Sequence, residues 1–123
     1  AHNPQATHLL ALDISNMKYN RVIAVVAMLA DKDINATLAQ MLSVVSTWHC
    51  ASLDVPRGAP SSTLVSAVLS SEQKVLEYDS VEDAYKYALE KAEKNDLVVV
   101  FGSFFTVSNI LKTGSFTSQE KLY

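Results

Sequence analysis

Cysteine is almost missing from this 123-residue chain. The single thiol, Cys50, excludes an internal disulfide framework and a cysteine-rich zinc site, and no metal site is expected. Glycine is nearly as scarce, with Gly58, Gly102 and Gly114 making up all three. Neither a dinucleotide-binding G-x-G-x-x-G nor a phosphate-binding G-x-x-x-x-G-K can be built from them. An excess of one charge is lacking too: ten basic residues face thirteen acidic ones, for a net charge of -3. No basic face is forced, which argues against nucleic acid as a partner. The longest unbroken apolar run, residues 22–30, is far shorter than the roughly twenty residues that cross a bilayer, so no membrane partner is expected. No basic start followed by an apolar stretch marks a secretory signal, and the expected location is cytoplasmic. The chain begins at Ala1 without methionine and goes straight into a helix signal, as a piece cut from something longer would.

What remains is a sequence 49% hydrophobic, enough for one domain to hold a core without a staple. A chain this long buries roughly two-thirds of the surface it exposes when unfolded. Helices and strands alternate along it. Asn3 caps a helix whose first turn holds Pro4, and Ala6, Leu9, Leu10, Ile14 and Met17 keep helical spacing to about residue 18. Residues 22–27 are β-branched and apolar on both faces, the pattern of a strand covered on both sides. Asp33 can cap a second helix with Ile34, Leu38, Met41, Leu42 and Val45 inward, and residues 47–53 make a second strand. Pro56, Gly58 and Pro60 mark a loop, and a third helix over 61–69 turns Leu64, Val65, Val68 and Leu69 inward. Residues 74–78 form a short strand, and Ser80 opens a helix with Val81, Ala84, Tyr85, Ala88, Leu89 and Ala92 on one face. Residues 97–101 are the second fully apolar strand, and Gly102 and Ser103 lead into a last helix through residue 111. Residues 112–123 are polar and expected to be a loose tail. The expected fold is α/β: a doubly wound, mostly parallel sheet with helices on both faces, spanning 1–111.

Ligands of such sheets lie beyond the carboxyl ends of the strands. Segments 28–33, 54–59 and 102–106 qualify, as do residues 1–4 if a strand precedes them. Gly102 permits a tight turn, after which Ser103 and free backbone amides can receive a carboxylate or phosphate oxygen; the plain alternative is a turn in which Ser103 or Thr106 caps a helix. Lys32 can meet an anion, or can form a surface ion cluster with Asp31 and Asp33. His2 stands at a helix N-terminus, where the dipole favours neutral imidazole, or is a polar turn residue. Arg57 can grip a carboxylate or phosphate, or be an ordinary surface arginine. His8 and His49 lie inside elements and read as structural, Cys50 as a buried thiol, and Met28 and Trp48 as core. These residues by themselves define no reaction.

Taken in order, however, four segments resemble one family. Ala1-His2-Asn3-Pro4-Gln5-Ala6 matches the end of its Asp-Gly-Ala-His-Asn-Pro motif, and Met28-Leu29-Ala30-Asp31-Lys32-Asp33 the motif after the next strand. Val55-Pro56-Arg57-Gly58-Ala59 and the stretch from Val99 through Gly102-Ser103-Phe104-Phe105-Thr106 to Val107 match two more. Together they resemble the C-terminal domain of bacterial dihydrofolate synthase/folylpolyglutamate synthase, in the Mur ligase superfamily, over residues 1 to about 111.

The resemblance implies a Rossmann-like domain with its first strand truncated, cut from an ATP-dependent ligase. Such enzymes phosphorylate a substrate carboxylate, and the glutamate amine then attacks the acyl phosphate. The acceptor is dihydropteroate or a folate already carrying glutamate. ATP and Mg2+ are held mainly by the N-terminal domain, which this chain lacks, so the isolated chain should be inactive. Carried over by position, Ser103, the adjoining amides and Phe104 should hold L-glutamate, with Lys32 contacting it or neutralising nearby charge. His2, the candidate catalytic residue, and Asn3 should lie at the domain junction near the nucleotide. Arg57 receives no firm role. Two competing readings are a cell-wall Mur-type amino-acid ligase domain and a stand-alone, non-catalytic binding domain of the same fold.

Overall fold

The computed structural model describes residues 2–17, 19–69, 72–103 and 120–122. The two runs of apolar, β-branched residues become strands β1 (Val22–Val26) and β4 (Leu97–Phe101), and every residue of both is buried. They are buried because they lie side by side in the middle of the sheet. With β2 (Thr47–Ala51), β3 (Lys74–Tyr78) and β5 (Glu120–Leu122) they form an all-parallel sheet in the order β3-β2-β1-β4-β5.

Helices α1 (Pro4–Ser15), α2 (Ile34–Ala39) and α4 (Val81–Lys91) start where the caps were expected. The side chains of Asn3, Asp33 and Ser80 accept from the amides of Ala6, Ala36 and Asp83 at 2.8, 3.3 and 3.1 Å. Each such cap contributes about 1 kcal/mol by satisfying an amide that has no partner inside the helix. Helix α3 (Ser61–Val68) follows Pro60 and has no side-chain cap bond.

The period-two alternation of β1 sorts the core into two layers. Val22, Ala24 and Val26 pack with Leu10 and Ile14 of α1, Leu38 of α2 and Leu64 of α3. Ile23 and Val25 pack with Val81, Ala84, Tyr85 and Ala88 of α4. Helices therefore cover both faces, as expected of a doubly wound sheet. Met28, Trp48 and Cys50 are core residues, also as expected.

Five expectations need correcting. Helix α2 stops at Ala39, so Met41, Leu42 and Val45, expected on its inward stripe, lie beyond its end. Helix α1 stops at Ser15, short of residue 18, and its inward stripe is Thr7, Leu10, Ala11 and Ile14. Leu9 is 62% exposed because it stands about 100° around the helix from Leu10. Thr7 takes its place inside by offering its hydroxyl to the Asn3 and Thr37 carbonyls, at 2.9 and 3.0 Å. Leu69, just past the last residue of α3, is 66% exposed. Finally, residues 120–122 are not loose: they pair parallel with β4, Glu120 opposite Val98 and Leu122 opposite Val100. The helix expected after Ser103 and the residues joining it to β5 lie outside the described residues.

The chain order locates the functional edge. From β1 the strands step outward through β2 to β3; α4 then carries the chain back to β4, on the other side of β1. The direction of winding reverses between β1 and β4, so the crevice of the sheet opens beyond their carboxyl ends.

Candidate functional site

Val26 and Phe101 are the last paired residues of β1 and β4. Immediately beyond them the backbones come very close. A Cβ on Gly102 would stand 2.4 Å from the Ala27 carbonyl oxygen and 3.0 Å from Cγ of Met28, and φ there is +123°. Glycine is the residue that fits both constraints. The turn it permits carries the chain into Ser103, buried at the switch point. Phe104 and Thr106 lie outside the described residues.

The loop after β1 is tied to the loop after β2. Leu29 and Gly58 form an antiparallel bridge. The Ala30 amide donates to the Arg57 carbonyl at 2.7 Å, and the Ala59 amide to the Met28 carbonyl at 2.8 Å. Arg57 is held with φ +67°, the left-handed region that side chains enter at a cost. Gly58 follows because a Cβ there would lie 1.9 Å from the Leu53 carbonyl oxygen. Across this seam Nη1 of Arg57 donates to Oδ2 of Asp31 at 3.0 Å.

That seam bears on how Lys32 is placed. Asp31 is engaged by Arg57, and Asp33 caps α2. Among the described residues the exposed Lys32 ammonium has no ion-pair partner. Its side chain is exposed at the edge of the crevice.

The entrance of α1 belongs to the same edge. Thr7 meets Thr37, and Nδ1 of His8 lies 3.2 Å from Oε1 of Gln40, so α1 and α2 run side by side in the same direction. Their N-termini, with exposed His2 and Asn3 on one and Lys32 and Asp33 on the other, therefore point the same way. Asn3 is occupied as a cap. The domain thus brings His2, Asn3, Lys32, Arg57 and Ser103 to one edge of the sheet.

Two of the residues read as structural, His49 and Cys50, are buried in β2. His49 has Nδ1 2.8 Å from the Tyr78 hydroxyl; burial and the nearby Lys74 charge lower its pKa to about 4. It stays neutral at physiological pH. Burial, helped by Glu77, pushes the Cys50 thiol up to about 12. Among the described residues no group of three or more His, Cys, Asp or Glu could hold a metal ion, and no helix is long and apolar enough to cross a membrane. Sequence reading missed the Asp31–Arg57 seam entirely. It also missed a latch at the opposite edge, where Arg21 and Asp96 pair at 2.6 Å. The available signal was positional: each stands immediately before one of the two apolar strands.

An all-parallel sheet whose winding reverses between β1 and β4, with helices on both faces, defines the class of doubly wound α/β domains. Its sequence narrows the class: residues 1–104 match the Mur ligase, glutamate ligase domain, and the chain belongs to that family. It is 41% identical to the dihydrofolate synthase/folylpolyglutamate synthase of Escherichia coli K12, over 91% of this chain and 26% of that protein. To the Haemophilus influenzae protein of the same name it is 37% identical, over 87% of this chain and 26% of that one. Among solved structures it is similar to Escherichia coli FolC in complex with DHPP and ADP, at a TM-score of 0.85 and 40% identity, covering 92% of this chain and 27% of the other. A bifunctional folylpolyglutamate synthase/dihydrofolate synthase with Mn, AMPPNP and L-glutamate bound matches at a TM-score of 0.85 and 37% identity, over 94% of this chain and 28% of that one. The chain thus spans about a quarter of the length of these relatives.

Proposed function

We propose that this chain is the glutamate-receiving, C-terminal domain of a cytoplasmic, ATP-dependent folate ligase. The parent adds L-glutamate to dihydropteroate, to folylpolyglutamate, or to both. One observation carries the reading: at the switch point, the turn at Gly102 delivers Ser103 beside a loop whose lysine makes no ion pair with either neighbouring aspartate, Asp31 pairing with Arg57 and Asp33 capping α2. That arrangement suits the carboxylate of an incoming amino acid. The names of the relatives favour a folate substrate over a cell-wall precursor, and the glutamate in one related structure suits the amino acid.

The division of labour is the one the family resemblance implies. ATP and its magnesium ion would be held chiefly by the rest of the parent, where the acceptor carboxylate would take the terminal phosphoryl group of ATP, with ADP leaving, to give an acyl phosphate. This domain contributes the nucleophile. Lys32 and Ser103, with the amides of the turn and Phe104, hold a carboxylate of glutamate and so orient its amine. The amine attacks the acyl carbon, phosphate leaves, the amine gives up a proton, and an amide forms. His2 and Asn3 stand at the junction with the nucleotide-binding part, with His2 the candidate catalytic residue. The isolated chain is inactive for want of that part.

Steady-state kinetics of the full-length protein, varying glutamate and ATP separately, test the reading. A hydrogen bond to a charged group contributes about 1.5–3 kcal/mol, so Ser103→Ala should raise the glutamate KM roughly 10- to 150-fold. The ATP KM should change little. Lys32→Ala should weaken glutamate use in a salt-dependent way. An unchanged glutamate KM in both variants would remove the carboxylate contact from this edge.

A further inference from the structure

The arginine at position 57 sits where the backbone asks for glycine. Its φ is +67°, and the loop contact its main chain makes, accepting the Ala30 amide at 2.7 Å, is open to any residue there. The contribution peculiar to the arginine is its guanidinium on Asp31, at 3.0 Å. Stability does not account for that contact: the two side chains are 71% and 47% exposed, and exposed pairs contribute little. The charge balance around Lys32 does account for it. Lys32 lies between two aspartates in sequence. Asp33 turns Oδ1 to the amide of Ala36, at 3.3 Å. Asp31, released from Arg57, would stand within a Debye length of about 8–10 Å of the Lys32 ammonium and compete with any anion for it.

We infer that Arg57 is a positioning residue that holds the Asp31 carboxylate away from Lys32, leaving the Lys32 ammonium open to an anionic group of the ligand. Arg57 itself touches no ligand in this scheme; it acts through Asp31. The inference rests on the assignment of Lys32 to the glutamate carboxylate proposed above.

The test uses the full-length protein with L-glutamate as the varied substrate, and compares Lys32→Gln, Arg57→Gln, Arg57→Lys, Asp31→Asn and the double variant Arg57→Gln/Asp31→Asn. Arg57→Gln should raise the glutamate KM about fivefold, the size of an exposed charge contact, with kcat and the ATP KM near wild type. Arg57→Lys, which keeps the charge opposite Asp31, should stay near wild type. The decisive result is rescue: with Asp31 neutralised there is no carboxylate to hold away, so the double variant should return to the wild-type KM. A double variant as poor as Arg57→Gln would overturn the inference and make Arg57 a direct ligand contact. So would a wild-type KM in Arg57→Gln while Lys32→Gln is impaired, which leaves the Lys32 assignment standing. A wild-type KM in Lys32→Gln would overturn both. Thermal midpoints measured on the same preparations separate these outcomes from misfolding, since exposed residues at 31 and 57 should leave them nearly unchanged.

Discussion

The two arginines of this domain each pair with an aspartate, at opposite ends of β1, and the pairs have little else in common. At the amino end, Nε and Nη2 of Arg21 reach Oδ2 of Asp96 at 3.1 and 2.6 Å, and the Glu93 amide adds a third donor at 2.9 Å. The Asp96 side chain is 2% exposed. The hydrogen bond from Arg21, more than any other influence, holds its carboxyl below the usual range. Adjoining backbone bonds, Asn20 to Asn95 and Leu97 to Arg21, both 2.9 Å, bind the entries of β1 and β4 together. At the carboxyl end the Arg57–Asp31 pair has one contact, in solvent, on a backbone that is itself strained. The same two residue types make a fastening at one end and set a charge at the other. Burial and donor count, not residue identity, separate the two duties.

The largest effect expected on stability belongs to neither pair. An unfolded histidine takes up its proton near 6.5, whereas His49 in the fold does so near 4. The fold therefore keeps its full stability above about pH 6.5 and loses about 3 kcal/mol as pH falls to about 4. Thermal midpoints recorded across that window should fall steeply, and His49→Gln should flatten the curve. A slope that survives in the variant would show that His49 is not its source. Next in size is Gly102→Ala, which places a methyl group against the Ala27 carbonyl at positive φ. A loss of about 2–3 kcal/mol in chemical denaturation is expected, and a neutral result would show the carboxyl edge to be yielding throughout. Asp96→Ala should cost about 2 kcal/mol, because it strips a charge-assisted acceptor from Arg21 and the Glu93 amide. Its pH signature lies elsewhere: a depressed carboxyl contributes above about pH 4 and is lost as pH falls further, so wild type and variant should converge in acid. The smallest effect is that of Arg57→Gly, where a lost exposed ion pair is offset by relief of the left-handed backbone. Denaturation should detect a change of under about 1 kcal/mol, in either direction. A loss as large as that of Asp96→Ala would erase the distinction between the two ends.

Features set by neighbours in sequence were legible before the fold was seen. The caps at Asn3, Asp33 and Ser80 and the two doubly buried strands depend on residues within one or two turns of one another. Leu9 and Leu69 were misread because helical spacing defines the stripe without its edges, and an exposed leucine at the margin costs little. Thr7 was not expected inside because its burial depends on the Thr37 carbonyl of another helix. Of the candidate site, Gly102, Ser103 and Lys32 could be placed from strand ends alone. The partner that frees Lys32 could not: Asp31 and Arg57 are 26 positions apart and meet only because two loops cross at the sheet edge.

Cys50 lies in β2, flanked by β1 and β3, with no exposed surface and a thiol pushed up to about 12. A thiol reacts with alkylating reagents as thiolate, and only where reagent can reach it. The native domain therefore keeps its one thiol out of chemical reach until the helical layer packed on that face of the sheet lifts away. The rate at which a thiol reagent consumes the protein then counts openings of that layer, and it does so without any label being added. The molecule carries its own clock for the separation of its helices from the sheet.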